Sequence, residues 1–439
     1  MLKDIYLVRN VFLIVVMLSC WSCKEGTKAE ATVDKALLFA AHKAINDAII
    51  EDGFSPPVAS RIYAYSYLGA YKCLPQEATH FQLDLNDFNK TIEFEEAYDS
   101  EIASILALLK VAEQLVYRKF IIKQTYDDIV NKLHQTKIPE STIDNAIMAA
   151  ENVAKAVIDY SKGDNYHNTR NKPFYNISEG YGVWEPTPPM YGTAIEPYWG
   201  EIRPFLIDSV DAFLTNYDIQ YDTAKGSKFY KEALQVYDTV NIATQQHIDK
   251  AQYWDCNPRE TLSSGHLMLQ VKQMNPPGHW LGIANTIFKR EPYQIKEIVE
   301  INTITALTMA DAIIVCWKEK YTTNLIRPET YINRFIDKSW RPKLETPMFP
   351  EYTSGHSVIS ASAATVLTQL VGDNIAYTDS VNYFLDLAPR SFNSFIEASK
   401  EAAISRFYGG IHYLPAIENG YEQGKTIATT VLETKILPK

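Results

Sequence analysis

The sequence predicts an all-α protein, a large helical bundle built as two stacked bundles. Three observations carry this. Apolar residues recur at three- and four-residue spacing through most of the 439 residues, the signature of helices with one buried face. No segment alternates apolar and polar residues convincingly enough to read as a half-buried strand. No fixed-period repeat suggests a solenoid. With 46% hydrophobic residues the chain can bury a sizeable core, in one large domain or two ordinary ones.

The N-terminus reads as a targeting segment. Lys3 and Arg9 precede the apolar run Val11–Cys20, too short to span a bilayer but suited to a signal sequence. The run ends in LSCWSCKEG, with a small residue before each cysteine, in the manner of a bacterial lipoprotein cleavage box. Residues 1–23 are therefore expected to be a lipoprotein signal peptide, with Cys20 or Cys23 lipidated (Cys20 slightly favoured), and residues 24–32 a linker. The expected location is the bacterial cell envelope, with membrane contact only through that N-terminal lipid. The other three cysteines, Cys73, Cys256 and Cys316, are an odd number and imply no disulfide framework. A formal net charge of -11 excludes non-specific nucleic-acid binding, which needs a basic face.

The next region, residues 33–215, carries helical faces at Leu37-Leu38, Ala41, Ala44-Ile45 and Ile49, then at Ile102, Ile105-Leu106, Leu109 and Val111-Ala112. A third face runs through Ile143, Ala146-Ile147, Val153 and Val157. Between Tyr181 and Phe205 the helical pattern stops at YGVWEPTPPMYGTAIEPYWGEIRPF, where the prolines forbid helix and the aromatics imply an ordered loop packed on the bundle. The C-terminal region, residues 216–439, holds further helical patterns over 295–317, 357–370, 392–407 and 420–437.

Three clusters in this C-terminal region could carry chemistry. Lys320 and Arg327 lie seven residues apart, about two helical turns, so one helix can present both on one side until Pro328 ends it. Thr353 or Ser354 can cap a helix beginning near His356, and Gly355 leaves its amide open to a bound group. A helix N-terminus with free amides is a ready anion site. In SRFYGGIHYLP, Arg406 ends a helix, Gly409-Gly410 can terminate it in a left-handed turn, and His412 follows. Each cluster alone reads more readily as a solvated basic face or a helix cap. Together they supply cations, a hydroxyl, a glycine amide and two imidazoles, a set suited to an oxyanion.

In this order and spacing the clusters resemble the three-part motif K-x6-R-P, SGH, S-R-x5-H. That motif belongs to the superfamily joining vanadium-dependent haloperoxidases with type 2 phosphatidic acid phosphatases. WEPTPP, EPYWG and RPF between Trp184 and Phe205, with NPPGHW at Asn275–Trp280, are similar to bacterial, lipoprotein-type haloperoxidases of Bacteroidetes. The resemblance implies a vanadate cofactor and places the site in the C-terminal bundle. Lys320, Arg327 and Arg406 would bind the equatorial oxygens, with Ser354 and Gly355 adding hydrogen bonds. His412 would be the axial metal ligand, and His356 the acid/base at the opposite apical oxygen. Trp317 and Phe349 would wall the pocket, Phe349 at a position that bears on halide preference.

The implied reaction is oxidation of a halide, iodide or bromide ahead of chloride, by hydrogen peroxide, with an organic acceptor of unknown identity. The same motif supports a second chemistry, phosphomonoester hydrolysis through a phosphohistidine at His412, with phosphate in place of vanadate. A non-catalytic lipoprotein that keeps the fold is a third reading. One position departs from the family. An Asp often stands four residues after the ligand histidine, whereas this chain has Ala416, leaving a backbone carbonyl as the candidate partner of the ring. A second SGH, at Ser264–His266, lacks a K-x6-R-P partner and is expected to be a structural turn. For His279 the sequence suggests only packing.

Overall fold

A computed structural model describes residues 33–438, apart from 87, 89–91, 93, 95, 178–179, 216, 219, 257–259, 265–266, 272, 383–384 and 386. The signal peptide, the linker, Cys20 and Cys23 lie outside the described residues.

The all-α expectation holds, and the helices form two bundles. The N-terminal bundle packs α1 (Ala36–Asp52), α2 (Pro56–Lys72), α3 (Ser100–Leu115), α4 (Lys119–His134) and α5 (Glu140–Ser161), with a short α6 (Tyr166–Arg170) after them. Two helices, α7 (Lys228–Asn241) and α8 (Gln245–Tyr253), follow the proline-rich loop. Next come α9 (Pro276–Arg290), α10 (Ile295–Thr323), α11 (Pro328–Phe335), α12 (Gly355–Leu370), α13 (Phe395–Tyr408) and α14 (Leu414–Thr434).

Helix α10 joins the two bundles, packing on α2 at one side and on α12 at the other. It is long and apolar enough to cross a membrane, yet its apolar stretch is wholly buried inside the protein. Burial all round explains its composition, since a helix with no solvent face needs no polar stripe. The main core runs from Leu38 in α1 to Ile436 near the C-terminus, and a smaller one gathers Phe229, Tyr331, Trp340 and Ile417 beside the candidate site.

Strands were not expected, and here the structure corrects the sequence reading. Three two-stranded antiparallel sheets are present: β1 (Phe81–Leu83) with β6 (Ile436–Pro438), β2 (Glu260–Ser264) with β3 (Leu267–Val271), and β4 (Tyr377–Asp379) with β5 (Arg390–Phe392). Four of these strands have three residues, too few for an alternating pattern to register. In the second SGH, Ser264 ends β2 opposite Leu267, whereas Gly265 and His266 lie outside the described residues.

The loop over 181–205 is ordered against the C-terminal bundle as expected. Trp184 and Trp199 are buried, the Trp184 amide donates to the Asn324 carbonyl (2.7 Å), and Ile195 N donates to Met348 O (2.9 Å). The Ile195 carbonyl in turn accepts from Trp317 Nε1 at 3.3 Å and from the Tyr321 hydroxyl at 2.6 Å. The loop is thereby tied to the helix that carries Lys320.

Candidate active site

Two helix ends and two loops build the site. Ser354 is the N-cap of α12: its hydroxyl oxygen accepts from the Ser357 amide (3.5 Å), while the Thr353 hydroxyl turns away to Gln423 (2.8 Å). Of the two candidate caps, Ser354 serves. The first amides of α12, beginning at Gly355, have no intrahelical partners and face the pocket end of the helix. Helix α14 lies close behind that first turn. At Gly424 a side chain would meet the Val358 carbonyl oxygen 2.1 Å from its Cβ, so only glycine permits the approach.

Lys320 and Arg327 converge, but not by helical periodicity. Helix α10 ends at Thr323, and Asn324 takes a left-handed conformation (φ 48°). Arg327 is already the N-cap of α11, with Pro328 in its first turn. Two helix ends meeting at a turn therefore replace the single two-turn face expected from the spacing.

The three cations are buried and differ in what they have left to give. Lys320 Nζ donates to the carbonyls of Pro350 and Glu351, each at 3.0 Å, and to that of Thr353. All three of its N–H groups are thus engaged, holding the 350–353 segment. Arg327 gives Nε to Phe349 O (2.9 Å) and Nη1 to Ile411 O (2.8 Å), while Nη2 has no partner among the described residues. Arg406 gives Nη1 to Trp254 O (3.0 Å) and Nη2 to Asp255 Oδ1 (3.3 Å), and its Nε is likewise unpartnered. Burial is the main cause that lowers Lys320 to about 7 and Arg327 to about 10.

His412 is held through both ring nitrogens. His412 Nδ1 lies 2.7 Å from Glu351 Oε1, and Nε2 lies 3.1 Å from Arg327 Nη1. A guanidinium only donates, so Nε2 carries the lone pair and Nδ1 the hydrogen. The same Glu351 oxygen accepts the Tyr413 amide at 2.9 Å. The Trp254 carbonyl acts on the His356 ring to favour its protonated form, and His356 Nε2 is buried with no partner among the described residues. Burial first, then the nearby arginines, holds both imidazoles well below their ordinary pKa, while burial raises Glu351 to about 7.

Glu351 corrects the reading of Ala416. The ring of His412 is oriented by a carboxylate that reaches it from 61 residues upstream, not by a backbone carbonyl. The Ala416 carbonyl accepts the Ser354 amide instead (3.0 Å). Sequence reasoning also missed Trp254 and Asp255. No spacing rule links residues 351 or 254 to the motif, although an acid three residues before SGH was visible.

Trp317 and Phe349 do meet, their ring centroids 5.1 Å apart, and both Lys320 Nζ and Arg327 Cζ lie 5.0 Å from the Phe349 ring. They wall a cavity of about 40 Å³ whose lining includes His356, Arg406 and His412. That is room for a few water-sized spheres. Among the described residues no group of three or more His, Cys, Asp or Glu side chains could hold a metal cation. The donors at and beside this cavity suit an anion: Arg406 and Gly355 line it, Arg327 borders it through His412, and Ser354 precedes Gly355, with Arg406 Nε and Arg327 Nη2 unpartnered among the described residues.

Comparison with known proteins agrees with this geometry. Residues 300–436 match the family described as the VCPO second helical-bundle domain. A solved structure described as the first bacterial vanadium-dependent iodoperoxidase is 36% identical, with a TM-score of 0.84 over 92% of this chain and 97% of that one. A holo-type bacterial vanadium-dependent chloroperoxidase shares the fold at 12% identity, with a TM-score of 0.67 over 92% of this chain and 98% of that one. Among curated proteins no match is found. The fold and site define a helical-bundle protein with a small pocket lined by His356, Arg406 and His412. The chain belongs to the vanadium-dependent haloperoxidase family.

Proposed function

We propose that this protein oxidises a halide with hydrogen peroxide at a vanadate held by His412. The observation that carries this reading is the set of unspent donors. Arg327 Nη2 and Arg406 Nε are buried N–H groups with no partner among the described residues, and each would otherwise cost roughly 1–3 kcal/mol of unmet hydrogen bonding. They would hold oxygens of the vanadate, with the Ser354 hydroxyl and the Gly355 amide. Lys320 adds charge from behind the 350–353 segment.

Vanadate, when bound, supplies a Lewis-acidic centre at which peroxide becomes able to take two electrons from a halide without a change in the metal's oxidation state. The residues do the rest. Glu351 keeps the hydrogen of His412 on Nδ1, so the lone pair is on Nε2, which would ligate the vanadate once the Arg327 Nη1 hydrogen bond to it gives way. His356 lines the pocket and has its Nε2 unpartnered among the described residues, so it can take a proton from peroxide and return one to the departing oxygen. Trp317 and Phe349 limit water at the cofactor. The balance is halide, hydrogen peroxide and one proton to hypohalous acid and water. Kinship with an iodoperoxidase favours iodide as the first halide to test, then bromide. The narrow cavity favours release of the oxidised halogen to an organic acceptor outside it.

The protein would act in the cell envelope, anchored through Cys20 or Cys23, a reading supported by Lys3, Arg9 and the apolar run before LSC. We place the N-terminal region at 33–215 and the haloperoxidase-like bundle at 216–439. The test is to load purified protein with orthovanadate and assay peroxide-dependent iodide and bromide oxidation beside phosphate-ester hydrolysis without vanadate. Halide oxidation lost in His412→Ala supports the proposal. Ester hydrolysis inhibited by vanadate supports the phosphatase reading instead, and neither activity without vanadate binding leaves a non-catalytic protein.

A further inference from the structure

The NPPGHW stretch finds a place in the structure that the oxyanion site alone does not require. Asn275 caps α9, its side chain accepting the Gly278 amide (2.9 Å), and Pro276 lines the active-site cavity. One turn on, His279 is wholly buried, with Nε2 2.7 Å from Asp379 Oδ2, itself wholly buried at the end of β4. The other oxygen of Asp379 accepts the Val381 amide at 3.0 Å. A histidine and a carboxylate at zero exposure are a costly choice where a phenylalanine and a leucine could fill the space.

What the pair touches explains the choice. The His279 ring lies flat on the Trp254 indole, centroids 4.8 Å apart and planes at 22°. The Asp379 carbonyl accepts the hydroxyl of Tyr253 (3.0 Å), and Asn382 Nδ2 donates to the Tyr253 carbonyl (3.0 Å). The segment 253–255 is thus gripped from the His279 and Asp379 side. Among the segment's other contacts, the Trp254 carbonyl accepts from Arg406 Nη1 (3.0 Å) and acts electrostatically on His356. Asp255 Oδ1 takes Arg406 Nη2. One carbonyl therefore holds the Arg406 guanidinium and also acts on the acid/base histidine.

We propose that the His279–Asp379 pair is a positioning element of the active site, acting through Trp254 to hold Arg406 and His356 in register with the bound oxyanion. The proposal rests on the function proposed above. It predicts that the pair matters to vanadate binding and to the peroxide step although neither residue reaches the pocket.

The test uses the full protein in two variants. Asp379→Asn is isosteric but weakens the grip on His279. The double variant His279→Phe/Asp379→Leu removes both polar partners, a change that leaves no unpaired buried charge. Asp164→Asn, in the remote buried pair of Arg61 and Asp164, serves as a folding control. Vanadate affinity is measured by calorimetry on vanadate-free protein, and the pH profile of kcat/KM for peroxide on loaded protein.

The proposal expects vanadate affinity to fall about tenfold in both variants and the acidic limb of the profile to move, with the halide KM unchanged and the control like wild type. Wild-type affinity and an unmoved profile in the variants, beside lower melting temperatures, would overturn it. Failure of both variants to fold would overturn it as well, since the pair would then be a fold element only. If wild-type protein itself neither binds vanadate nor oxidises halide, the proposed function fails, a result distinct from either of these.

Discussion

Glu351 Oε1 lies 2.7 Å from His412 Nδ1, and both groups are buried. The contact fixes the tautomer that leaves His412 Nε2 as a lone pair, which is the form a ligand histidine needs. Orienting carboxylates of this kind typically change metal affinity by about 10–100-fold when removed. Glu351→Ala should therefore weaken vanadate binding by a factor in that range, and Glu351→Gln by less, because its amide oxygen can still accept from Nδ1. Calorimetric titration with orthovanadate reads both. Wild-type affinity in Glu351→Ala would contradict the assignment.

Ala416 should not be able to take over that role. Its carbonyl is committed to the Ser354 amide, and its side chain is buried with 1% exposure. Adding Ala416→Asp to Glu351→Ala should leave vanadate affinity no better than in Glu351→Ala alone. Recovery to within about twofold of wild type would show that position 416 can supply the carboxylate in this fold.

The two buried groups with pKa values drawn toward neutrality make stability depend on pH. Glu351 is raised from 4.5 to about 7 by burial, so its contribution is present below about 4.5 and is lost as pH rises to 7. Lys320 is lowered from 10.5 to about 7, also by burial, so its contribution is lost as pH falls through that same value. Vanadate-free protein should accordingly show a local minimum in melting temperature near pH 7. Bound vanadate favours charged Lys320 and should fill the minimum in. Lys320→Met should remove the rise on the alkaline side. Differential scanning calorimetry from pH 5 to 9, with and without vanadate, checks each statement.

Helix packing behind the site gives a stability prediction. A Cβ at Gly424 would stand 2.1 Å from the Val358 carbonyl, and backbone cannot yield cheaply. Gly424→Ala should cost on the order of 1–3 kcal/mol in denaturant unfolding. It should also displace the first turn of α12 and weaken vanadate binding. An unchanged midpoint would mean that α14 can move away without cost.

Helix class and the three motif clusters were legible in the sequence because both depend on local spacing. Lys320, Arg327, Ser354, Gly355, His356, Arg406 and His412 are each tied to a helix end, and caps and prolines mark such ends in the letters. The join between Lys320 and Arg327 was misread because a left-handed Asn324 has no strong signature beside the helical pattern before it. Glu351, Trp254 and the His279–Asp379 pair were out of reach for a different reason. Their roles come from contacts across about 60 to 150 residues, and one sequence carries no record of which distant side chains meet. The three-residue strands escaped because they bury too little to impose alternation.

The central claim is that His412 and its cations hold a vanadate that oxidises halide. Peroxide-dependent iodide oxidation, measured on protein titrated with orthovanadate, tests it most directly. The account predicts activity that saturates at one vanadate per chain and disappears in His412→Ala. Iodide oxidation that is independent of added vanadate or survives in His412→Ala, or its absence from fully loaded wild-type protein, would contradict it.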